Sequence, residues 1–241
     1  MTLFSKKSTL KEIGFFEGFT DHHSHVLPGV DDGIKKIEHS LKVLAYYESL
    51  GVKALWCTPH IFEDLPNESS FLKERFATLR ETYKGPIELH LAAEYMMDNE
   101  FQVRLSNNDL LPIGAEKDHL LVETTYVHAP ENLGEIFDQI KAKGYYPILA
   151  HPERYRYMGK DDYRKWKEQD IKFQMNYTAL GGFYGKDVQE KAIWLLENDM
   201  YNICGGDLHS AHHTFDSKAP LAEIKVKKKL AKRLEKLKAL D

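Results

Sequence analysis

Seven short apolar runs, at about 18–23, 52–58, 87–93, 119–123, 146–150, 171–175 and 201–205, alternate with longer stretches of helical spacing. One such stretch carries Ile37, Leu41, Leu44 and Ala45 before a stop at Gly51, and another runs over 131–143 and stops at Gly144. A third, over 187–198, places Val188, Ala192, Leu195 and Leu196 on one face. Strands separated by helices favour a parallel sheet with right-handed crossovers. The expectation is an α/β fold, either a barrel or a doubly wound sheet, and periodicity alone does not choose between them. A chain of 241 residues fits one such domain.

The residues that end the runs narrow the choice. His23, His60, Glu94, Glu123, His151 and Asp207 each fall at or just past the end of a predicted strand. A strand end that merely met solvent would show Lys, Ser, Asn and Gly as often. In α/β barrels the chemistry gathers at the C-terminal ends of several strands at once. Side chains able to bind metal stand at six of these strand ends, which points to a barrel with one shared site.

The residue types define the chemistry. His23 and His25 lie two apart on an extended segment, so both leave one face and can share an ion. The string DHHSHVLPGVDDG adds Asp31 and Asp32, although Gly-Val-Asp-Asp-Gly taken alone also reads as a turn. His60 in CTPH could equally finish a strand. Glu94 after LHLAA and Glu123 in LLVETTY are different, because an ionised carboxylate after an apolar run is costly unless paired or metal-bound. His151 in PILAHPERY and Asp207 with His209 in NICGGDLHS repeat the pattern. The set is a polynuclear His/carboxylate site without thiolates, suited to manganese, iron or zinc. His22 faces away from its neighbours and stays outside the set.

Other chemistries are excluded. Neither Cys57 nor Cys204 has an arginine six positions later, as a cysteine-based tyrosine phosphatase requires. Gly-x-Ser-x-Gly and His-Glu-x-x-His are absent, and GGFYGKD fails as a phosphate loop because Asp187 replaces its Ser/Thr. Two cysteines imply no disulfide framework. A net charge of −4 argues against nucleic acid as the main partner. Residues 218–241 are the exception, with nine Lys/Arg against three Asp/Glu, a local +6 that leaves −10 for the rest. There Val226, Leu230, Leu234 and Leu237 have helical spacing, which predicts a terminal helix packed by its apolar stripe, or else a surface for anionic partners. No run of ~18 apolar residues and no signal-peptide pattern occur, so insertion into a membrane is not expected and a cytoplasmic location is.

The series DHHSHVLPGVDDG, CTPH, AAEY, LVETTY, AHPERY and GGDLHS resembles the PHP superfamily, named for polymerase and histidinol phosphatase. Within it the sequence is most similar to the bacterial metal-dependent protein tyrosine phosphatases of capsule and exopolysaccharide systems. The motifs follow the family's order from residue 21 to about 210; each is weak alone, and together they are specific. The resemblance implies a distorted (β/α)7 TIM-like barrel over 20–241 behind an N-terminal extension, 1–19. It also implies three divalent ions, usually manganese. His23, His25, Glu94 and Asp207 would hold the first ion; Glu94, Glu123 and His151 the second; Asp32, His60 and His209 the third. A hydroxide bridging two ions would attack the phosphoryl group of a phosphotyrosine, with Arg154 as phosphate clamp. Arg154 could instead form a surface salt bridge. The implied substrate is the tail of a bacterial tyrosine kinase controlling polysaccharide export.

One departure stands out. Some relatives carry a second arginine after the Asp-x-His pair, whereas DLHSAHHTFD offers His212 and His213. One of these is expected to assist the phosphate or protonate the leaving phenolate. Two other functions fit parts of the pattern: a PHP phosphoesterase acting on a small metabolite such as histidinol phosphate, and a non-catalytic PHP binding module. An enclosed pocket would favour the metabolite and an open groove a protein. The complete ligand set speaks against the non-catalytic module.

Overall fold

A computed structural model describes residues 7–212 and 221–237. In chain order the strands are β1 Lys7–Thr9, β2 Thr20–Ser24, β3 Ala54–Cys57, β4 His60–Ile61, β5 Glu88–Leu91, β6 Glu94–Met96, β7 His119–Glu123, β8 Tyr146–Ala150, β9 Lys172–Asn176, β10 Ile203–Gly205 and β11 Lys225–Lys227. The helices are α1 Ile37–Leu50, α2 Ser69–Thr82, α3 Asn99–Asn107, α4 Leu133–Ala142, α5 Lys160–Glu168, α6 Lys186–Glu197 and α7 Lys228–Glu235. All seven expected runs are strands, joined by parallel pairing. Helix α1 ends where expected, at Gly51 with φ 85°, a left-handed cap that glycine adopts without strain.

Two runs are broken. β3 gives way to β4 at Thr58–Pro59, and β5 to β6 at Ala92–Ala93. The parallel strands therefore form a three-stranded sheet, β2-β3-β5, and a six-stranded one, β10-β9-β8-β7-β6-β4. The ring closes just past the strand ends. His25 N donates to Leu208 O at 3.1 Å and Asp207 N to His23 O at 2.8 Å. This is the distortion expected of the barrel, and it lies beside the predicted ligands.

Alternation along the strands sorts the interior. Trp56, Leu121, Ile148, Ala150 and Ile203 form a cluster inside the ring. Their neighbours Leu55, Cys57, Leu120, Val122, Leu149, Phe173 and Met175 belong to the larger core, which the helices join through Leu44, Phe137 and Leu195. Strands buried on both faces read as continuous apolar runs, which is why periodicity could not separate a barrel from a flat sheet. Two residues beyond Leu121 on the same face comes Glu123, so the layer above this inner cluster is polar.

Residues 7–19 share the larger core through Leu10, Phe15, Phe16 and Phe19. The three phenylalanines surround Tyr177 with ring centroids 5.6–6.0 Å away. β1 pairs antiparallel with β11. The predicted terminal helix starts later than its spacing suggested, because Val226 lies in β11; Val226, Leu230, Leu234 and Leu237 are all buried, so the stripe packs inward. No helix among the described residues is long and apolar enough to cross a membrane.

Candidate metal centre

The polar layer brings all nine expected ligands to one end of the ring. Three groups of donor atoms lie mutually within 4.8 Å: His23, His25, Glu94 and Asp207; His60, Glu94 and Glu123; and His25, Asp32, His60 and His209. Glu94 is central. Its Oε2 lies 3.1 Å from His23 Nε2, 3.3 Å from His25 Nε2 and 3.1 Å from His60 Nδ1, and its Oε1 lies 2.9 Å from His151 Nε2. His151 is 3.8 Å from Glu123 Oε2. The sharing differs from that implied by the resemblance: His60 stands at Glu94 and Glu123 as well as at Asp32, and His25 joins the outer group.

Secondary contacts fix which nitrogen of each imidazole faces inward. His25 Nδ1 donates to Asp31 Oδ2 at 2.8 Å, and His23 Nδ1 donates to Gln174 Oε1 at 2.9 Å, leaving both Nε2 atoms 3.2 Å apart at the centre. Holding the far nitrogen of a ligating histidine in this way sets its tautomer and ring orientation. Asp31 is itself held by Gly33 N and His60 N. At Gly33 a Cβ would come within 2.5 Å of His25, which gives the second glycine of Gly-Val-Asp-Asp-Gly a steric reason. Gly205 plays the same part in β10, where a Cβ would lie 2.5 Å from that of His23.

Two of the nine residues occupy left-handed backbone, His151 at φ 32° and Asp207 at φ 50°. Such conformations cost non-glycine residues about 1–3 kcal/mol and persist where surrounding contacts impose them. Asp207 is so fixed: Oδ2 accepts from Arg154 Nη1 at 2.7 Å and Asn176 Nδ2 at 2.8 Å. Below it, the buried Asp21 accepts from His23 N and Gly206 N at 3.1 and 3.0 Å and from Tyr47 Oη at 2.9 Å, tying β2 to the turn that carries Asp207.

The electrostatics call for positive charge. Burial alone would push Glu94 and Asp207 up, yet the surrounding imidazoles, His23 foremost, hold both well below the usual carboxylate range. Conversely His23, which burial would push down, is raised to about 9 by Glu94 and Asp207, and His25 is raised well above its usual value, Asp31 being its foremost charge partner. In the protein without ions, the neighbouring carboxylates favour the protonated form of these two imidazoles. His60 Nδ1 and Glu94 Oε2 are both buried and make no hydrogen bond, although they are 3.1 Å apart. Two such unsatisfied ligand atoms, in an all N/O set, fit a divalent cation bound between them.

Arg154 lies against the centre. Its guanidinium is stacked between Tyr126 and Tyr184, 4.3 and 4.4 Å from the ring centroids. It forms a salt bridge, but with Asp207 inside the site rather than at the surface. His212 is exposed, its backbone N donating to Ser210 Oγ, and His213 lies outside the described residues. His22 stays apart from the donor groups, with Nδ1 3.2 Å from Cys204 O.

Gln174, Asn176, Tyr126 and Tyr184 are not singled out by the sequence. Gln174 interrupts an apolar strand and Asn176 ends one, so the strand-end rule that finds the acids would find Asn176 if amides were included. The tyrosines come from loops that no periodicity marks.

The fold recurs among known proteins. A chain from the crystal structures of YwqE from Bacillus subtilis and CpsB from Streptococcus pneumoniae, described as unique metal-dependent tyrosine phosphatases, superposes with a TM-score of 0.74 at 22% identity, covering 92% of this chain and 96% of that one. Tyrosine-protein phosphatase YwqE of Bacillus subtilis is 26% identical over 196 residues, 79% of this chain and 77% of the relative. Tyrosine-protein phosphatase CpsB of Streptococcus pneumoniae is 26% identical over 214 residues, 83% of this chain and 85% of the relative. Residues 19–238 match the sequence model of a family described as capsular polysaccharide synthesis, CpsB/CapC, and the chain belongs to that family.

Proposed function

We propose that this protein is a metal-dependent protein tyrosine phosphatase of the YwqE and CpsB type. The observation that carries the proposal is the meeting of eight His, Asp and Glu residues from separate strands and loops in three overlapping groups, with His151 beside Glu94 and Arg154 alongside. His23, His25, Glu94 and Asp207 would hold one ion, Glu94 and Glu123 a second with His60 or His151, and Asp32, His60 and His209 a third. Divalent ions bound there acidify water for attack and offset charge on the phosphoryl oxygens. Manganese is the expected metal, with iron and zinc compatible with the same donors.

The chain's own residues supply the rest. Arg154, held flat between Tyr126 and Tyr184, presents a planar donor face suited to phosphoryl oxygens. Asp31 and Gln174 keep His25 and His23 oriented. His212 stays a candidate for phosphate contact or proton delivery to the leaving phenolate, and His213 carries the same expectation from the sequence alone.

A protein substrate fits better than a metabolite because the site is open on one side. Asp32 is 73% exposed and His209 28%, whereas Glu94 is fully buried. Access of that kind admits a tyrosine presented on a polypeptide, and the tail of a tyrosine kinase of polysaccharide export is the substrate in view. The test compares a phosphotyrosyl peptide with histidinol phosphate on manganese-loaded protein, with and without chelator. Faster turnover of histidinol phosphate, or turnover that survives complete metal removal, would defeat the proposal.

A further inference from the structure

A cavity of about 1160 Å³ adjoins the metal centre on the side of Arg154. None of the nine donor residues lines it. Its inner wall is the Tyr126–Arg154–Tyr184 stack, whose arginine reaches Asp207, and it continues past Arg156 and Lys160 to Trp194. The floor is built rather than loose. Lys191 on α6 donates to Tyr155 O and Met158 O at 2.6 and 2.8 Å, and the buried Glu153 accepts from Tyr201 Oη and Asn176 N, both at 2.9 Å. These bonds lock the turn carrying Arg154 to α6 and β9.

Pockets that enclose a drug-sized ligand span roughly 300–1,000 Å³. This cavity exceeds what one phosphorylated side chain would fill. Its aromatic and arginine lining is the composition enriched where polypeptides are recognised. Its charges are unequally committed. Glu190 is 3.5 Å from Lys186, Lys191 is spent on carbonyls, and Asp187 sits in the first turn of α6. Arg156 and Lys160 are exposed, and among the described residues neither has a carboxylate within ion-pair distance.

We propose that this groove binds the polypeptide flanking the phosphotyrosine and favours substrates with acidic residues there, read by Arg156 and Lys160. The inference rests on the phosphatase reading and adds a substrate preference to it. The experiment measures kcat and KM of manganese-loaded protein for three phosphotyrosyl peptides flanked by Glu, Gln or Lys, with free phosphotyrosine alongside. For exposed charge pairs the expected preference for Glu over Lys is ~3- to 10-fold, carried by KM rather than kcat, at low salt. It should vanish near 1 M salt, where the screening length is ~3 Å. In the double variant Arg156→Glu/Lys160→Glu the order should reverse. Equal KM values in the unaltered protein, or a preference unchanged by salt, would overturn the inference without need of the variant. Hydrolysis of none of the four compounds would instead overturn the phosphatase reading, and the groove with it.

Discussion

The inner and outer halves of the metal centre are built differently. Inside, His23, His25, Glu94 and Asp207 are buried, and each has a contact that fixes it: Gln174, Asp31, His151, and Arg154 with Asn176. Outside, Asp32 is 73% exposed, 3.3 Å from His209 and 3.7 Å from His60. A pre-oriented, dry donor set holds a cation more tightly than one whose carboxylate must first be ordered from water. The inner ions should therefore behave as part of the fold and the outer ion as an exchangeable ligand.

The sharpest way to break this contrast is at its pivot. Glu94→Gln should remove metal from the inner groups and lower phosphotyrosyl-peptide turnover by about three orders of magnitude, beyond the ~10–100-fold typical of outer-shell changes. Metal analysis and steady-state kinetics together check it; full occupancy with normal turnover would refute the central role. Gln174→Leu leaves every direct donor in place but frees the His23 ring and loses an acceptor for His151 N. It should weaken inner-site affinity ~10–100-fold by calorimetry. Asp32→Ala should cost less, ~10-fold in turnover, with one ion lost and two retained. Loss of all three would show the halves to be a single unit.

The smallest effect is a change of sign with pH. His23 has a folded value of about 9, above its usual 6.5. In metal-free protein it therefore contributes stability that is complete below pH 6.5 and lost as pH rises through 9. The contribution is on the order of 1–3 kcal/mol. Manganese competes with those protons, so loaded protein should gain stability over the same window. Thermal melts at pH values of about 6, 7.5 and 9, with and without chelator, check the opposing slopes. A metal-free Tm that rises with pH would contradict the protonated cluster.

Several residues were legible because burial makes them expensive. Glu94 and Glu123 follow apolar runs, and a carboxylate there needs a partner. The strand ends around His60, His151 and Asp207 were equally plain. The breaks at Thr58–Pro59 and Ala92–Ala93 were not, since a strand buried on both faces reads as one continuous run whether or not it changes sheet. Val226 fitted helical spacing, but antiparallel pairing with Ser8 makes it part of a strand. Local spacing does not register a partner at the other end of the chain.

The alternation of apolar runs and helical stretches fixed the α/β class, and the residues ending those runs fixed the nature of the chemistry, because both depend on positions close in sequence. Tertiary structure alone decided how the donors are shared. His60 serves two groups, His25 serves two, and Arg154 turns inward to Asp207 with Arg156 and Lys160 left facing a groove. Ligand sharing depends on hydrogen-bond-scale distances, about 3 Å, between atoms on different strands. Those distances are set by where the ring closes, at Gly205 against His23 and Leu208 against His25, and no spacing along the chain encodes them.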